Sequence, residues 1–195
     1  MASEFQRSKI GGVFDAMDAD GDGFLREQDF TALAARWAAI RGAAPGSAGH
    51  TRLTSIMMGW WTTLLAASNG DGDGDGDGGG DGDGEVTLEE VLLVVDRLGL
   101  MPDAVAETAQ AMFEAVDEDG DGRISPAEYR RLIEAWNGCA TDTDETFPLL
   151  DLDGDGYLCE KEFVRLWTQF WAGDDPQAPG TWVFGRFEPP VPHRR

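Results

Sequence analysis

One pattern is written three times in this chain. Asp18-Ala-Asp20-Gly-Asp22-Gly23, Asp117-Glu-Asp119-Gly-Asp121-Gly122 and Asp151-Leu-Asp153-Gly-Asp155-Gly156 each run on through five residues to an acid: Asp29, Glu128 and Glu162. Oxygens at positions 1, 3 and 5, a backbone carbonyl at position 7 and a carboxylate at position 12 can surround a hard cation. Glycine at position 6 permits the sharp turn that brings them together. The carbonyls at position 7 belong to Phe24, Arg123 and Tyr157, and position 8 is apolar each time: Leu25, Ile124 and Leu158.

The flanks test this reading independently. Ile10, Val13, Phe14 and Met17 before the first loop, and Phe30, Leu33, Ala34 and Trp37 after it, recur at i, i+3, i+4, i+7, the spacing of one helical face. Tyr129, Leu132, Ile133 and Trp136 repeat that frame after the second copy, and Phe163, Leu166, Trp167 and Phe170 after the third. Helix, twelve-residue acidic loop, helix is the calcium-loop motif of the EF-hand.

Projected onto the rest of the chain, the same frame finds a fourth unit, second in order. Val91, Val94, Val95 and Leu98 have the exit-helix spacing, Glu90 stands where the closing acid should, and Val86 falls at position 8. Position 1 is then Gly79, so Asp81 and Asp83 remain at positions 3 and 5 with no carboxylate at the first. A lengthened loop starting at Asp77 is the alternative. Residues 70–84 hold nine Gly and six Asp and nothing else, which predicts a mobile insertion. The helix before it carries Leu53, Ile56, Met57, Trp60, Trp61, Leu64 and Leu65 on one face. Residues 41–49 read as a connector, with His50 next to it read as linker too, and Thr141 to Asp144 reads as the start of a short helix that Pro148 should kink.

Composition narrows the function. With 15 Lys and Arg against 37 Asp and Glu, the formal charge is −22, which repels nucleic acid and anionic membrane surfaces and attracts cations. Hydrophobic residues still make up 42% and include seven Trp and ten Phe, so a packed core is expected rather than a disordered acidic tail. Two cysteines, Cys139 and Cys159, and an N-terminus without an apolar run point to the cytoplasm. No catalytic constellation is visible. The acidic pairs Glu89-Glu90 and Asp174-Asp175 read as solvated surface, and neither His50 nor His193 has a nucleophile in a plausible setting. The chain is not read as an enzyme.

These residues resemble the sarcoplasmic calcium-binding proteins and their bacterial counterparts of the calerythrin type. The specific elements are four hands with a degenerate second one, a long first-to-second connection, Asp29 in place of Glu, a short middle link and an apolar tail with Trp182, Val183, Phe184 and Phe187. The resemblance implies a compact molecule that holds metal in hands one, three and four, buffers Ca²⁺ and Mg²⁺, and performs no catalysis.

The expected fold is all-α: four EF-hands in two pairs, compact, with short antiparallel β-ribbons joining Leu25 to Val86 and Ile124 to Leu158. Residues 1–100 would form the N-terminal pair, 103–171 the C-terminal pair, and 172–195 a tail packing back on the lobes. Expected metal ligands are Asp18, Asp20, Asp22, Phe24 and Asp29; Asp117, Asp119, Asp121, Arg123 and Glu128; and Asp151, Asp153, Asp155, Tyr157 and Glu162. Mg²⁺ should compete at the first loop, where Asp29 is a methylene short of bidentate reach and Arg26 brings a cation near. The chain is expected to be a monomer. The alternative function is a calcium sensor that exposes an apolar groove to a target protein.

Overall fold

The computed structural model describes residues 2–68, 84–98 and 102–185. The Asp-Gly run as far as Asp83, with Asp77, Gly79 and Asp81, the link 99–101, and the chain beyond Gly185, with Phe187, lie outside the described residues. Eight helices occur among those described: α1 Glu4–Met17, α2 Glu27–Ile40, α3 Ala48–Ser68, α4 Leu88–Leu98, α5 Pro102–Val116, α6 Pro126–Asn137, α7 Phe147–Leu150 and α8 Glu160–Ala172. A 3-10 turn, Pro179–Trp182, comes after α8.

The helices bury the faces their spacing marks out. Ile10, Val13, Phe14 and Met17 of α1, Phe30, Leu33, Ala34 and Trp37 of α2, and the corresponding stripes of α6 and α8 all belong to one apolar core. In α3 only Leu53, Met57 and Trp61 are fully buried, while Ile56, Trp60, Leu64 and Leu65 are half-buried against that core. Leu92, outside the predicted stripe of α4, is buried as well.

Paired loops meet through their eighth residues, as expected. Strands β1 Arg123–Ile124 and β2 Leu158–Cys159 pair antiparallel, with Ile124 opposite Leu158. Leu25 and Val86 form a single antiparallel bridge, Leu25 N–H to the Val86 carbonyl at 2.8 Å and the reciprocal bond at 2.9 Å.

The two halves share their core rather than standing apart. Trp60 of α3 packs edge-on against Trp136, Trp167 and Trp171, with ring centroids 6.2, 5.3 and 6.2 Å away. The Arg36 guanidinium of α2 donates to the Ala135 and Trp136 carbonyls at the end of α6. Gly138 makes room for it: its φ is 70°, and a Cβ there would lie 2.9 Å from Arg36 Nη1. Arg41, just past α2, donates to the Ala115 carbonyl at 2.7 Å.

Two expectations are corrected. His50 lies in the first turn of α3, because the helix begins at Ala48, two residues inside the predicted connector. The helix expected near Thr141 starts only at Phe147, with Thr146 as its N-cap. Pro148 falls in that first turn, where its missing N–H would have had no helical partner anyway.

Beyond α8 the chain turns back along it. Gly180 N–H donates to Gln169 Oε1 at 3.0 Å, and the Tyr129 hydroxyl donates to the Trp182 carbonyl at 3.0 Å. Val183 and Phe184 are buried, and the Phe184 ring packs tilted against Trp136 and Trp167 and edge-on against Phe170 and Trp171. Lys9 of α1 is buried beside this segment, its ammonium 5.0 Å from the Phe170 ring and donating to the Gly173 carbonyl at 2.7 Å.

This packing can be tested at a glycine and at a lysine. A Cβ at position 180 would lie 2.3 Å from the Leu166 carbonyl, whereas one at Gly59 meets nothing within 4 Å. Gly180→Ala should therefore destabilise by about 1–3 kcal/mol and Gly59→Ala stabilise by roughly 0.5–1 kcal/mol in thermal melts. Burial pushes the Lys9 ammonium down from 10.5 to about 8, opposed only in part by Asp174. Below that pH both folded and unfolded chains are protonated and folding carries the full penalty. Between about 8 and 10.5 the folded chain releases its proton first, so stability rises with pH. Relative to Lys9→Met, the wild type should gain on the order of 3 kcal/mol across that window; parallel stability curves would contradict it.

Candidate metal centres

Each acidic loop is folded by its own carboxylates acting on backbone N–H groups. Asp18 accepts from Gly21 N–H at 2.8 Å and Gly23 N–H at 2.8 Å. Asp117 accepts from Gly120 and Gly122 at 2.8 and 2.9 Å, and Asp151 from Gly154 and Gly156 at 2.8 Å each. The turn needs φ of 87°, 83° and 88° at Gly23, Gly122 and Gly156, a region costly for any residue with a Cβ. Asp22, Asp121 and Asp155 each accept from the N–H two residues on, of Phe24, Arg123 and Tyr157.

The closing acid ties the two ends of the loop together. Asp29 accepts from Ala19 N–H at 3.1 Å and Arg26 N–H at 2.8 Å. Glu128 accepts from Glu118 and Ser125, both at 2.8 Å, and Glu162 from Leu152 at 3.0 Å and Cys159 at 2.9 Å. All three are buried, unlike the exposed acids at positions 3 and 5. Burial raises the Asp29 carboxyl above its ordinary value, with repulsion from Asp20 and Asp18 adding to it, against the pull of its two N–H bonds.

Carboxylate oxygens converge in three places among the described residues. The groups are Asp18, Asp20 and Asp22; Asp117, Asp119 and Glu128; and Asp151, Asp153 and Glu162, the oxygens of each lying within 4.8 Å of one another. Two oxygens bound to one calcium at about 2.4 Å can be at most about that far apart, so each set fits one hard cation with oxygen ligands. The third and fourth loops bring the closing Glu into the group. The first assembles without Asp29, in keeping with its shorter side chain.

In the second hand, the described half of the loop repeats the geometry of the others. Gly84 has φ 79°, Val86 makes the bridge, and Glu90 accepts from Thr87 N–H at 2.7 Å. Asp81 and Asp83 lie outside the described residues.

Sequence reasoning placed Arg26 near the first site but missed the ion pairs that cations make at the loop edges. Arg26 forms an ion pair with Asp22, i and i+4 apart, and a second with Glu85, position 7 of the second loop, so one guanidinium links paired loops while occupying a prospective ligand. The i, i+4 spacing was a readable signal; the contact to Glu85 was not. Glu118, whose N–H binds Glu128, pairs with Arg131 at 2.8 Å and Arg41 at 3.3 Å. At position 7, Arg123 lies over the Tyr157 ring at 5.3 Å. Burial raises the Cys159 thiol, which keeps it protonated and fits an incidental residue rather than a redox one.

These loops have known counterparts. Residues 106–168 match the family model of an EF-hand domain pair, and residues 10–33 that of an EF hand. The beta chain of a sarcoplasmic calcium-binding protein from Penaeus sp. is 26% identical over 182 residues, covering 86% of this chain and 88% of that one. A shorter match, 43% identical over 67 residues, is to CML23 of Oryza sativa subsp. japonica; it covers 33% of this chain and only 44% of that protein. Among solved structures, a calcium-binding protein of Streptomyces coelicolor described in calcium-mediated regulation superposes with a TM-score of 0.66 at 28% identity. It covers 87% of this chain and 99% of its own. These matches place EF-hand domains in both halves of the chain. Over most of its length it resembles the sarcoplasmic calcium-binding proteins.

Proposed function

We propose that this protein buffers calcium ions, holding Ca²⁺ in its first, third and fourth loops, with Mg²⁺ competing at the first. The observation that carries the reading is the convergence of three carboxylates in each of three separate loops. Asp18, Asp20, Asp22, the Phe24 carbonyl and Asp29 would hold the first ion. Asp117, Asp119, Asp121, the Arg123 carbonyl and Glu128 would hold the second, and Asp151, Asp153, Asp155, the Tyr157 carbonyl and Glu162 the third. Asp29, outside the converging group, favours the smaller, six-coordinate Mg²⁺ at its loop.

Buffering rather than sensing is supported by where the apolar faces go. The exit-helix residues Trp37, Trp136 and Trp167, together with Val183 and Phe184 of the C-terminal segment, are buried in one core, so these faces are not offered to a target helix. In this reading residues 1–100 and 103–171 are the two EF-hand pairs and 172–195 a tail on them, in a cytoplasmic monomer without a protein target. Likeness to the Streptomyces protein of calcium-mediated regulation favours the second reading, a sensor that opens on calcium.

Calorimetry with calcium should show three binding events and a fourth absent or weak, because Gly79 offers no side-chain ligand. Three dications add six charges, taking −22 to about −16 and relieving self-repulsion. Each occupied loop should add about 2.7 kcal/mol of stability at free calcium a hundredfold above its dissociation constant. Glu162→Gln should remove one event and that increment, and Asp29→Glu should shift the first loop toward calcium over magnesium. Four strong events would overturn the count. A large calcium-induced rise in apolar-dye binding would favour the sensor.

A further inference from the structure

The first loop differs from the third and fourth in what holds its fifth residue. Arg26, at position 9, pairs with Asp22 through one end of its guanidinium. Its Nε donates to Glu85 Oε1 at 2.8 Å, and its other terminal nitrogen pairs with the same carboxylate. The guanidinium carbon lies 5.4 Å from the centre of the Phe24 ring. Positions 5 and 7 of the first loop and position 7 of the second thus cradle one cation, whose side chain is only 27% exposed. Position 9 of the other two loops is uncharged: Ser125, whose hydroxyl donates to Glu128 at 2.7 Å, and Cys159. Neither carries a charge to offer Asp121 or Asp155.

The consequence falls on a ligand that the first loop depends on. Its converging carboxylates are Asp18, Asp20 and Asp22, whereas the groups in the third and fourth loops contain the closing Glu in place of the fifth residue. Asp22 Oδ1 accepts the Phe24 N–H at 3.0 Å and Oδ2 accepts from the guanidinium, so both oxygens are engaged. A guanidinium has five donors and no lone pair, so position 9 supplies no ligand here and cannot accept a hydrogen bond from a metal-bound water. Nor can it shed its charge as an amine could. A dication and the Arg26 guanidinium therefore compete for Asp22, and Glu85 is the acceptor on which the guanidinium rests when it yields.

We propose that Arg26 is a tethered cation that competes with metal for Asp22 and thereby lowers the affinity of the first loop, with Glu85 of the second hand as its resting acceptor. The proposal rests on the reading of the first loop as a metal site, and its test separates the two. The full chain is titrated with calcium chloride in a calorimeter, and its melting is followed in parallel in chelator. Asp18→Asn identifies the first loop's event as the one it removes. Arg26→Gln takes away the charge and keeps a polar side chain. It should tighten that event about tenfold, the repulsion expected between a dication and a unit cation about 6 Å apart in water. The events of the other loops should stay as they are. In chelator the same variant should melt at a lower temperature, because the pairs with Asp22 and Glu85 are lost with no ion to replace them. Arg26→Lys, which keeps the charge, should tighten the event far less than Arg26→Gln. Affinity that rises while stability in chelator falls is the mark of competition; a side chain that only packs would lower both or move neither. If Asp18→Asn removes no event, the first loop is not a metal site and the metal reading fails together with the proposal. The metal reading would stand and the proposal alone would be overturned by any of three results: an event that Arg26→Gln does not tighten, one that Arg26→Lys tightens as far as Arg26→Gln does, or melting in chelator that Arg26→Gln leaves unchanged or raises.

Discussion

The bond on which the rest of this molecule depends joins a carboxylate to two backbone N–H groups ten and three residues behind it. Asp29, Glu128 and Glu162 each accept from the second and ninth residues of their loops, and so fix where the exit helix begins relative to the end of the entering one. That angle sets the eighth residue into a bridge with its partner loop. The bridge in turn points Leu25, Val86, Ile124 and Leu158 into the core. A buried carboxylate is strongly destabilising unless its oxygens are used, and here the backbone uses them. The same side chain thereby serves as a helix N-terminal cap, a loop clamp and a prospective metal ligand, so metal affinity and helix geometry cannot vary independently.

A second layer of polar contacts carries the geometry between halves. Arg36 supplies donors to carbonyls that helix α6 leaves open at its C-terminus, and Arg41 does so for α5 while pairing with Glu118, the second residue of the third loop. Helix C-termini favour cations through both hydrogen bonds and the aligned peptide dipoles. In a chain of net charge −22 these arginines matter more than their number implies, since each stands at a point where acidic loops or open carbonyls gather. Arg26 between Asp22 and Glu85 obeys the same logic at the first pair of loops.

Much of this was legible in the chain, because loop chemistry and helix periodicity are local. Twelve-residue spacing located three loops outright, and the 3.6-residue frame recovered the second hand from Val86, Glu90 and Val91, whose described residues repeat the turn, bridge and cap of the others. What was not legible is contact between segments far apart. Nothing near Arg36 announces α6, and nothing near Trp60 announces Trp167. The start of α3 was misplaced because a cap inside the Gly/Pro/Ala connector was overlooked: Ser47 Oγ accepts from His50 N–H at 3.3 Å, and Ala48 favours helix while the cost of Gly49 is offset by the core contacts of Leu53 and Met57. At Thr141 a plausible cap was passed over because no apolar face comes after it before Phe147.

The aromatic centre explains why so much apolar surface can coexist with so acidic a shell. Trp60 enters from the first half and meets Trp136, Trp167 and Trp171 of the second, and Phe184 closes the far side. Large rigid rings bury much area for little conformational entropy, which offsets the repulsion that 37 carboxylates impose on a folded chain. Rings of fixed shape also pack with gaps that flexible side chains would fill. Because rings from both halves meet in one core, the burial that stabilises each half also joins it to the other.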